Sequence, residues 1–239
     1  MDTKKLYEGK AKIIYATEDA AKVIQYFKDD ATAFNNVKKD NISGKGILNN
    51  FISEYVMLLL KNNDIPTHFI KRLDERRQLV TKLDIFPLEV IIRNQAAGSI
   101  CKRLGIAEQT VFNPALLEFC YKKDEYGDPV INDEHIRVLN LANPDELEQI
   151  KELTLKINQI LSKAFADINI KLIDFKIEFG KDSDGKIMLA DEISPDSCRL
   201  WDMNSNEKMD KDRFRLDLGD LTKYYQEIAD RFNIEVNYA

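Results

Sequence analysis

The pattern of apolar residues predicts an α+β protein, and three observations carry that expectation. Short β-rich runs and helical stripes are mixed along the chain without regular β-α alternation, which argues against a doubly wound parallel sheet. Residues 144–166 repeat their apolar side chains at helical spacing. Residues 173–180 alternate apolar and charged with period two and are followed by Asp184-Gly185, the pattern of a strand entering a hairpin.

The elements follow in order. Tyr7-Glu8-Gly9-Lys10-Ala11-Lys12 sets a punctuating glycine ahead of β-rich runs at 13–15 and 23–27, so residues 6–28 read as a hairpin-like pair. Leu48, Phe51, Ile52, Tyr55, Val56 and Leu59 form one stripe and predict a helix over 46–61. Short strands are expected at 68–73, 78–83 and 88–93, with a turn at 74–77 and a break at Pro87. A second lobe is expected to begin at that break, dividing the chain into 1–86 and 87–239. The segment 93–99 closes a strand and opens a short helix ending near Gly105. The helix over 144–166 carries its own start signal: Asn143 as cap, Pro144 in the first position and Glu146 three residues after the cap. The next strands are 173–180 and 187–193, and a last helix is expected over 220–232.

Composition narrows the function classes. A chain of 239 residues suits one large domain or two tightly joined lobes. Apolar residues make up 44% and charged residues 32%, the balance of a globular protein. The net charge of −6 and the lack of a dense basic run argue against nucleic-acid binding. The three cysteines, Cys101, Cys120 and Cys198, are far apart, and His68 and His135 have no partner at metal-ligand spacing, so neither a disulfide framework nor a zinc site is expected. The start, Met1-Asp2-Thr3-Lys4-Lys5, has no apolar leader, and the run 55–60 is far shorter than the ~20 residues a membrane span needs. With free cysteines, these features point to the cytoplasm and to no membrane partner. Small-molecule substrates are the expected partners, along with further copies of the chain in a homo-oligomer such as a dimer.

Four segments combine residues with chemistry. In 173–180 the period-two pattern puts Asp174, Lys176 and Glu178 on one face. A two-residue turn would set Glu178 directly across from Asp191, two carboxylates that repel unless a divalent cation lies between them. The same pattern also suits a solvated outer face with Lys176 neutralising its neighbours. The turn Gly9-Lys10-Ala11-Lys12 can approach phosphates closely with lysines as point charges, although it is not a P-loop and most such turns are only surface turns. Arg93 through Ser99 offers a helix start as an anion site, or Ser99 as a plain N-cap. The run Asp191-Glu192-Ile193-Ser194-Pro195-Asp196-Ser197-Cys198-Arg199 is a strand end entering a proline loop rich in binding groups. Cys198 has no identifiable base and reads as a buried thiol. There is no G-x-S-x-G elbow and no kinase H-R-D or D-F-G set.

These segments, in this order, resemble the phosphoribosylaminoimidazole-succinocarboxamide synthase (SAICAR synthetase) family. The matching stretches include Leu6 to Lys12, Gly44-Lys45-Gly46, Ile65-Pro66-Thr67-His68, Val90 to Ser99, Asp128-Pro129, Asp174 to Gly180, Asp191 to Asp196 and Lys211 to Arg215. The ordered set spans essentially the whole chain. The resemblance implies a two-lobed, ATP-grasp-like fold with a smaller strand-rich amino-terminal lobe. It also implies ATP- and magnesium-dependent joining of L-aspartate to carboxyaminoimidazole ribonucleotide. By that resemblance Gly9, Lys10, Ala11 and Lys12 cover the ATP phosphates, and Lys82, Leu83 and Ile85 lie beside adenine. Glu178 and Asp191 would hold magnesium and Glu89 a ribose hydroxyl. Arg93, Ser99 and Arg199 would clamp the ribonucleotide phosphate. Asp174, Lys176 and Asp196 would line the reacting end, with Lys211 and Arg215 beside them. The rival implied by the same charged groups is a small-molecule kinase. Relatives often carry Gly-Ser or Ser-Ser where this chain has Ser197-Cys198, and a thiol donates hydrogen bonds weakly, so Cys198 is assigned no contact.

Overall fold

A computed structural model describes residues 4–33 and 37–236. The lead-in at Met1-Asp2-Thr3 therefore lies outside the described residues. The chain begins with β1 (Lys5–Glu8), β2 (Lys12–Ala16) and β3 (Lys22–Phe27), then a two-stranded ribbon of β4 (Asp30–Ala33) and β5 (Lys38–Asn41). Helix α1 (Lys45–Lys61) follows, then β6 (Phe69–Arg72) and β7 (Arg77–Thr81). Strands β1, β2, β3, β7 and β6 make one antiparallel sheet in that order.

The second sheet starts before Pro87. Strand β8 (Asp84–Ile85) already pairs with the long central strand of that sheet. Then come β9 (Leu88–Gln95), α2 (Ser99–Leu104), β10 (Val111–Tyr121), β11 (Val130–Ile131), α3 (Asp133–Val138) and α4 (Pro144–Asp167). Strands β12 (Ile170–Lys181), β13 (Ile187–Ala190) and β14 (Cys198–Asp202) precede α5 (Asp212–Arg215) and α6 (Leu221–Arg231). The sheet order is β11-β10-β9-β12-β13, with β14 and β8 also paired to β12. The chain is thus α+β, with β12 as the hub of its larger sheet.

Local signals explain the helices. Asn143 Oδ1 accepts the Glu146 backbone N–H at 2.9 Å while Glu146 Oε2 accepts that of Asn143 at 2.9 Å, a reciprocal cap. The buried stripe of α4, from Leu147 through Ile150, Ile157 and Leu161 to Phe165, packs on β12 and β9. Helix α1 packs on β6 and also on α6, and Phe232 completes that seam. Its ring lies 4.6 Å from Tyr55 of α1 and 5.3 Å from Phe165 of α4. One hydrophobic cluster therefore runs from Leu48 and Ile52 through β9 and β12 to Tyr225 and Ile228.

Several expectations change, beginning with residues 6–28, which form three strands and not a pair. The strand expected over 187–193 stops at Ala190, because Asp191 turns into the left-handed region at φ 60°. Strand β10 went unpredicted, since Asn113-Pro114 interrupts its pattern and its pairing with β9 shifts between Val111 and Leu116. Strand β14 replaces part of the expected proline loop; it is short and begins three residues after Pro195.

Gly46 allows α1 to start where it does. A Cβ there would lie 2.5 Å from the Phe27 carbonyl oxygen and 2.9 Å from that of Lys28, and backbone atoms cannot step aside cheaply. Gly46→Ala should therefore cost about 1–3 kcal/mol of stability, as overpacking does, read as a lower urea midpoint at an unchanged slope.

Candidate active site

A cleft of about 1450 Å³ separates the inner face of the first sheet from the charged face of β12. The turn between β1 and β2 stands at its mouth. Gly9 N–H donates to the Lys12 carbonyl at 2.8 Å and Lys28 N–H to that of Ala11 at 2.8 Å, which fixes the turn. Lys10 reaches across to Asp124 at 2.9 Å. Lys82, Leu83 and Ile85 line the same cleft where the chain crosses from one sheet to the other.

The floor is a lattice of acids and lysines. Lys176 Nζ lies 3.1 Å from Glu89, 3.1 Å from Glu178 and 3.6 Å from Asp191. Lys12 pairs with Asp191 and, at 2.8 Å, with Glu192. Lys122 pairs with Glu178 at 2.5 Å. Glu178 is only 5% exposed, so the charged face of β12 is a buried floor and not a solvated surface. Burial opposes the charges on Lys12 and Lys176. The surrounding carboxylates outweigh it and hold both ammonium groups above the ordinary lysine range. Burial likewise pushes Asp191 up, but Lys12 and Lys176 outweigh it and hold the carboxyl well below the usual range.

Glu178 and Asp191 do converge, though by another route than the turn suggested. The loop holds three residues between Asp182 and Lys186, not two, so Glu178 pairs with Ala190 and not with Asp191. Strict alternation from that register would turn Asp191 to the face of Ile177. The left-handed backbone at Asp191 breaks the alternation and returns its carboxylate to the cleft. His68 braces this bend, with its Nε2 2.9 Å from the Asp191 carbonyl oxygen.

Beside the cleft lies an arginine cluster, of which Arg215 alone reaches the lining. Asp174 Oδ2 accepts from Arg93 at 2.7 Å and from Arg199 at 2.9 Å. Glu118 holds Arg93 at 2.7 Å, and Asp212 holds Arg199 at 2.8 Å and Arg215 at 2.5 Å. Gly98 packs on the Arg199 guanidinium, leaving no room there for a side chain. Ser99 is the exposed first residue of α2. The cap position belongs to Gly98, which corrects the reading of Ser99 as N-cap. Asp196, Lys211 and Arg215 also line the cleft, with Lys211 3.8 Å from Asp196.

The sequence from residue 5 to 232 matches the family model described as SAICAR synthetase. The chain belongs to the SAICAR synthetase family. It is 55% identical to a phosphoribosylaminoimidazole-succinocarboxamide synthase of Persephonella marina, over 95% of each chain. The structure superposes on that of the enzyme so named from Ehrlichia chaffeensis with a TM-score of 0.95 at 52% identity, covering 98% of this chain and 100% of the other. A SAICAR synthetase (type 2) solved in complex with ADP matches at a TM-score of 0.94 and 47% identity, covering 98% and 99%.

Within this SAICAR synthetase framework, several groups escaped the sequence reading. Lys45 is wholly buried and donates to Asp196 Oδ2 at 2.7 Å, and Tyr225 donates to Asp196 Oδ1 at 2.7 Å. Glu192, Lys122 and His68 complete the floor. Lys45 stood inside the Gly44-Lys45-Gly46 motif, and Glu192 beside Asp191, so adjacency to a matched motif was their signal.

Burial pushes His68 down from 6.5 to about 4, against the pull of Asp191. The ring is thus neutral in the fold and gains a proton on unfolding over that window. Stability contributed by keeping it neutral is intact above pH 6.5 and falls as pH drops toward 4. His68→Gln should remove roughly 3 kcal/mol of this acid sensitivity, measured as the difference between the two proteins' unfolding free energies at pH 7 and pH 4.

Proposed function

We propose that this cleft joins L-aspartate to the carboxylate of carboxyaminoimidazole ribonucleotide and converts ATP to ADP and phosphate, giving SAICAR in purine (IMP) biosynthesis. Family membership supplies the reaction class, that of a carbon–nitrogen ligase. The observation that carries the site assignment is the meeting of Glu178 and Asp191, from separate segments, on one lysine.

A carboxylate is a poor acyl donor because its leaving group would be oxide. Transfer of the γ-phosphoryl group makes an acyl phosphate, and the aspartate amine then displaces phosphate. Such chemistry asks the protein mainly for positioning and charge neutralisation. Lys10 and Lys12 supply cations at the mouth, with Gly9 and Ala11 letting the backbone approach the phosphates. Lys82, Leu83 and Ile85 flank adenine. Glu89 takes a ribose hydroxyl. Arg93, Ser99 and Arg199 receive the ribonucleotide phosphate, and Asp174, which accepts from both arginines, holds their guanidinium groups in place. Lys176, Asp196, Lys211 and Arg215 surround the reacting carboxylate and amine.

Glu178 and Asp191 would hold magnesium. Both offer oxygen, and this ion takes one or two carboxylates plus phosphate oxygens and water in place of a full protein cage. That suits a site where, among the described residues, no larger cluster of metal-ligating side chains is gathered. Bound there, magnesium would neutralise charge on the transferring phosphoryl group. The amino-terminal part, residues 1–86, would cover the nucleotide, and residues 87–239 would bear the substrates. No helix among the described residues is long and apolar enough to cross a membrane. We place the reaction in the cytoplasm and expect a homo-oligomer such as a dimer. The kinase reading is not favoured, since the family and the relatives it matches are named as synthases that make a succinocarboxamide.

Two outcomes follow. ADP and free phosphate should appear in equal amounts and only when aspartate and the ribonucleotide are both present, whereas a kinase would leave a phosphorylated product. Asp191→Asn should lower kcat by at least ~10²-fold, the scale of losing a preorganised charge. Circular dichroism should stay native, since asparagine tolerates the left-handed backbone. Near-normal turnover at low magnesium would remove Asp191 from the proposed metal shell.

A further inference from the structure

Among the described residues, Asp196 is the one acid of the cleft held from behind by two side chains that do not themselves line it. Lys45 Nζ meets Oδ2 at 2.7 Å and Tyr225 OH meets Oδ1 at 2.7 Å, while Lys211 stands off at 3.8 Å. Asp196 and Lys211 line the cleft, and Lys45 and Tyr225 do not. Both are fully buried. They come from α1 and α6, elements far apart in the chain that pack on each other.

Lys45 occupies a costly position. It opens α1, where the helix dipole is positive, and no acidic residue stands in the first turn to offset it. Burying an ammonium group is a second cost, met only by pairing. A lysine that served packing alone would be better replaced by an apolar residue there. Its geometry makes sense if the state of Asp196 matters.

We propose that Lys45 and Tyr225 are positioning residues that lock the Asp196 carboxylate, ionised and in one orientation, toward the amine-donating substrate. This rests on the ligase reading above. A carboxylate has about four acceptor positions. One donor on each oxygen fixes its plane and leaves the remaining positions for the cleft. The backbone is fixed as well, since Asp196 N–H donates to Ser194 Oγ at 3.1 Å and Lys211 N–H to the Pro195 carbonyl at 3.1 Å. Although burial opposes the charge, Lys211 and Lys45 outweigh it and keep Asp196 ionised.

Tyr225→Phe deletes one oxygen and keeps the ring in the core, so it is the first variant, with Lys45→Met as the second. In full-length enzyme, Tyr225→Phe should lower kcat/KM for aspartate about 10- to 100-fold, the range for a lost hydrogen bond to a charged group. The KM for ATP and the affinity for ADP should stay within about twofold, because the nucleotide end is untouched. A purely structural role would instead lower the melting temperature and leave kcat/KM for aspartate unchanged in the folded protein, which overturns the proposal. A wild-type enzyme with no aspartate-dependent phosphate release overturns the ligase reading itself, whereas an active wild type with two unaffected variants overturns only this inference.

Discussion

The whole site depends on keeping several carboxylates together, buried, without their mutual repulsion unfolding the floor. Lys176 solves this by sitting among Glu89, Glu178 and Asp191, and Lys12 and Lys122 take up the second oxygens of Asp191 and Glu178. Removing one charge from such an interleaved set leaves its partner buried and alone, which costs more than the pair contributes. The floor is therefore constrained as a unit. It also explains why lysines reach it from three places, β2, the residue after β10 and β12: the neutralising charge comes from separate parts of the chain.

The lattice is continuous beyond the floor. Lys12 binds Glu192, whose other oxygen accepts from Ser194 Oγ at 2.6 Å, and Ser194 Oγ in turn accepts the Asp196 N–H at 3.1 Å. Groups from the proposed nucleotide end and the proposed amine end thus share one proline-containing segment. Its two ends are set by different devices, a left-handed residue at Asp191 and buried donors around Asp196. Rigid placement of this kind is what a reaction relying on positioning needs.

Much of this was legible in the sequence because its causes are local. Asn143, Pro144 and Glu146 announce α4, and the period-two run at 173–180 announces β12. The convergence of Glu178 and Asp191 was anticipated for an incomplete reason. A single extra residue in the loop shifts the register, and the backbone at Asp191 compensates, a pairing of effects that no short-range pattern encodes. Tyr225 and Lys122 were hidden for a plainer reason. Each looks like an ordinary surface or core residue until a partner distant in sequence is brought beside it.

The seam between α1 and α6 has a temporal meaning. Lys45 and Asp196 are 151 residues apart and Tyr225 lies a further 29 beyond Asp196. A chain made from its amino terminus exposes Lys45 on the ribosome long before the groups that shelter it exist. Contacts of such long range form slowly and late. The seam therefore closes only after α6 has been made, and until then the buried ammonium of Lys45 and the carboxylate of Asp196 lack the third member of their set, Tyr225.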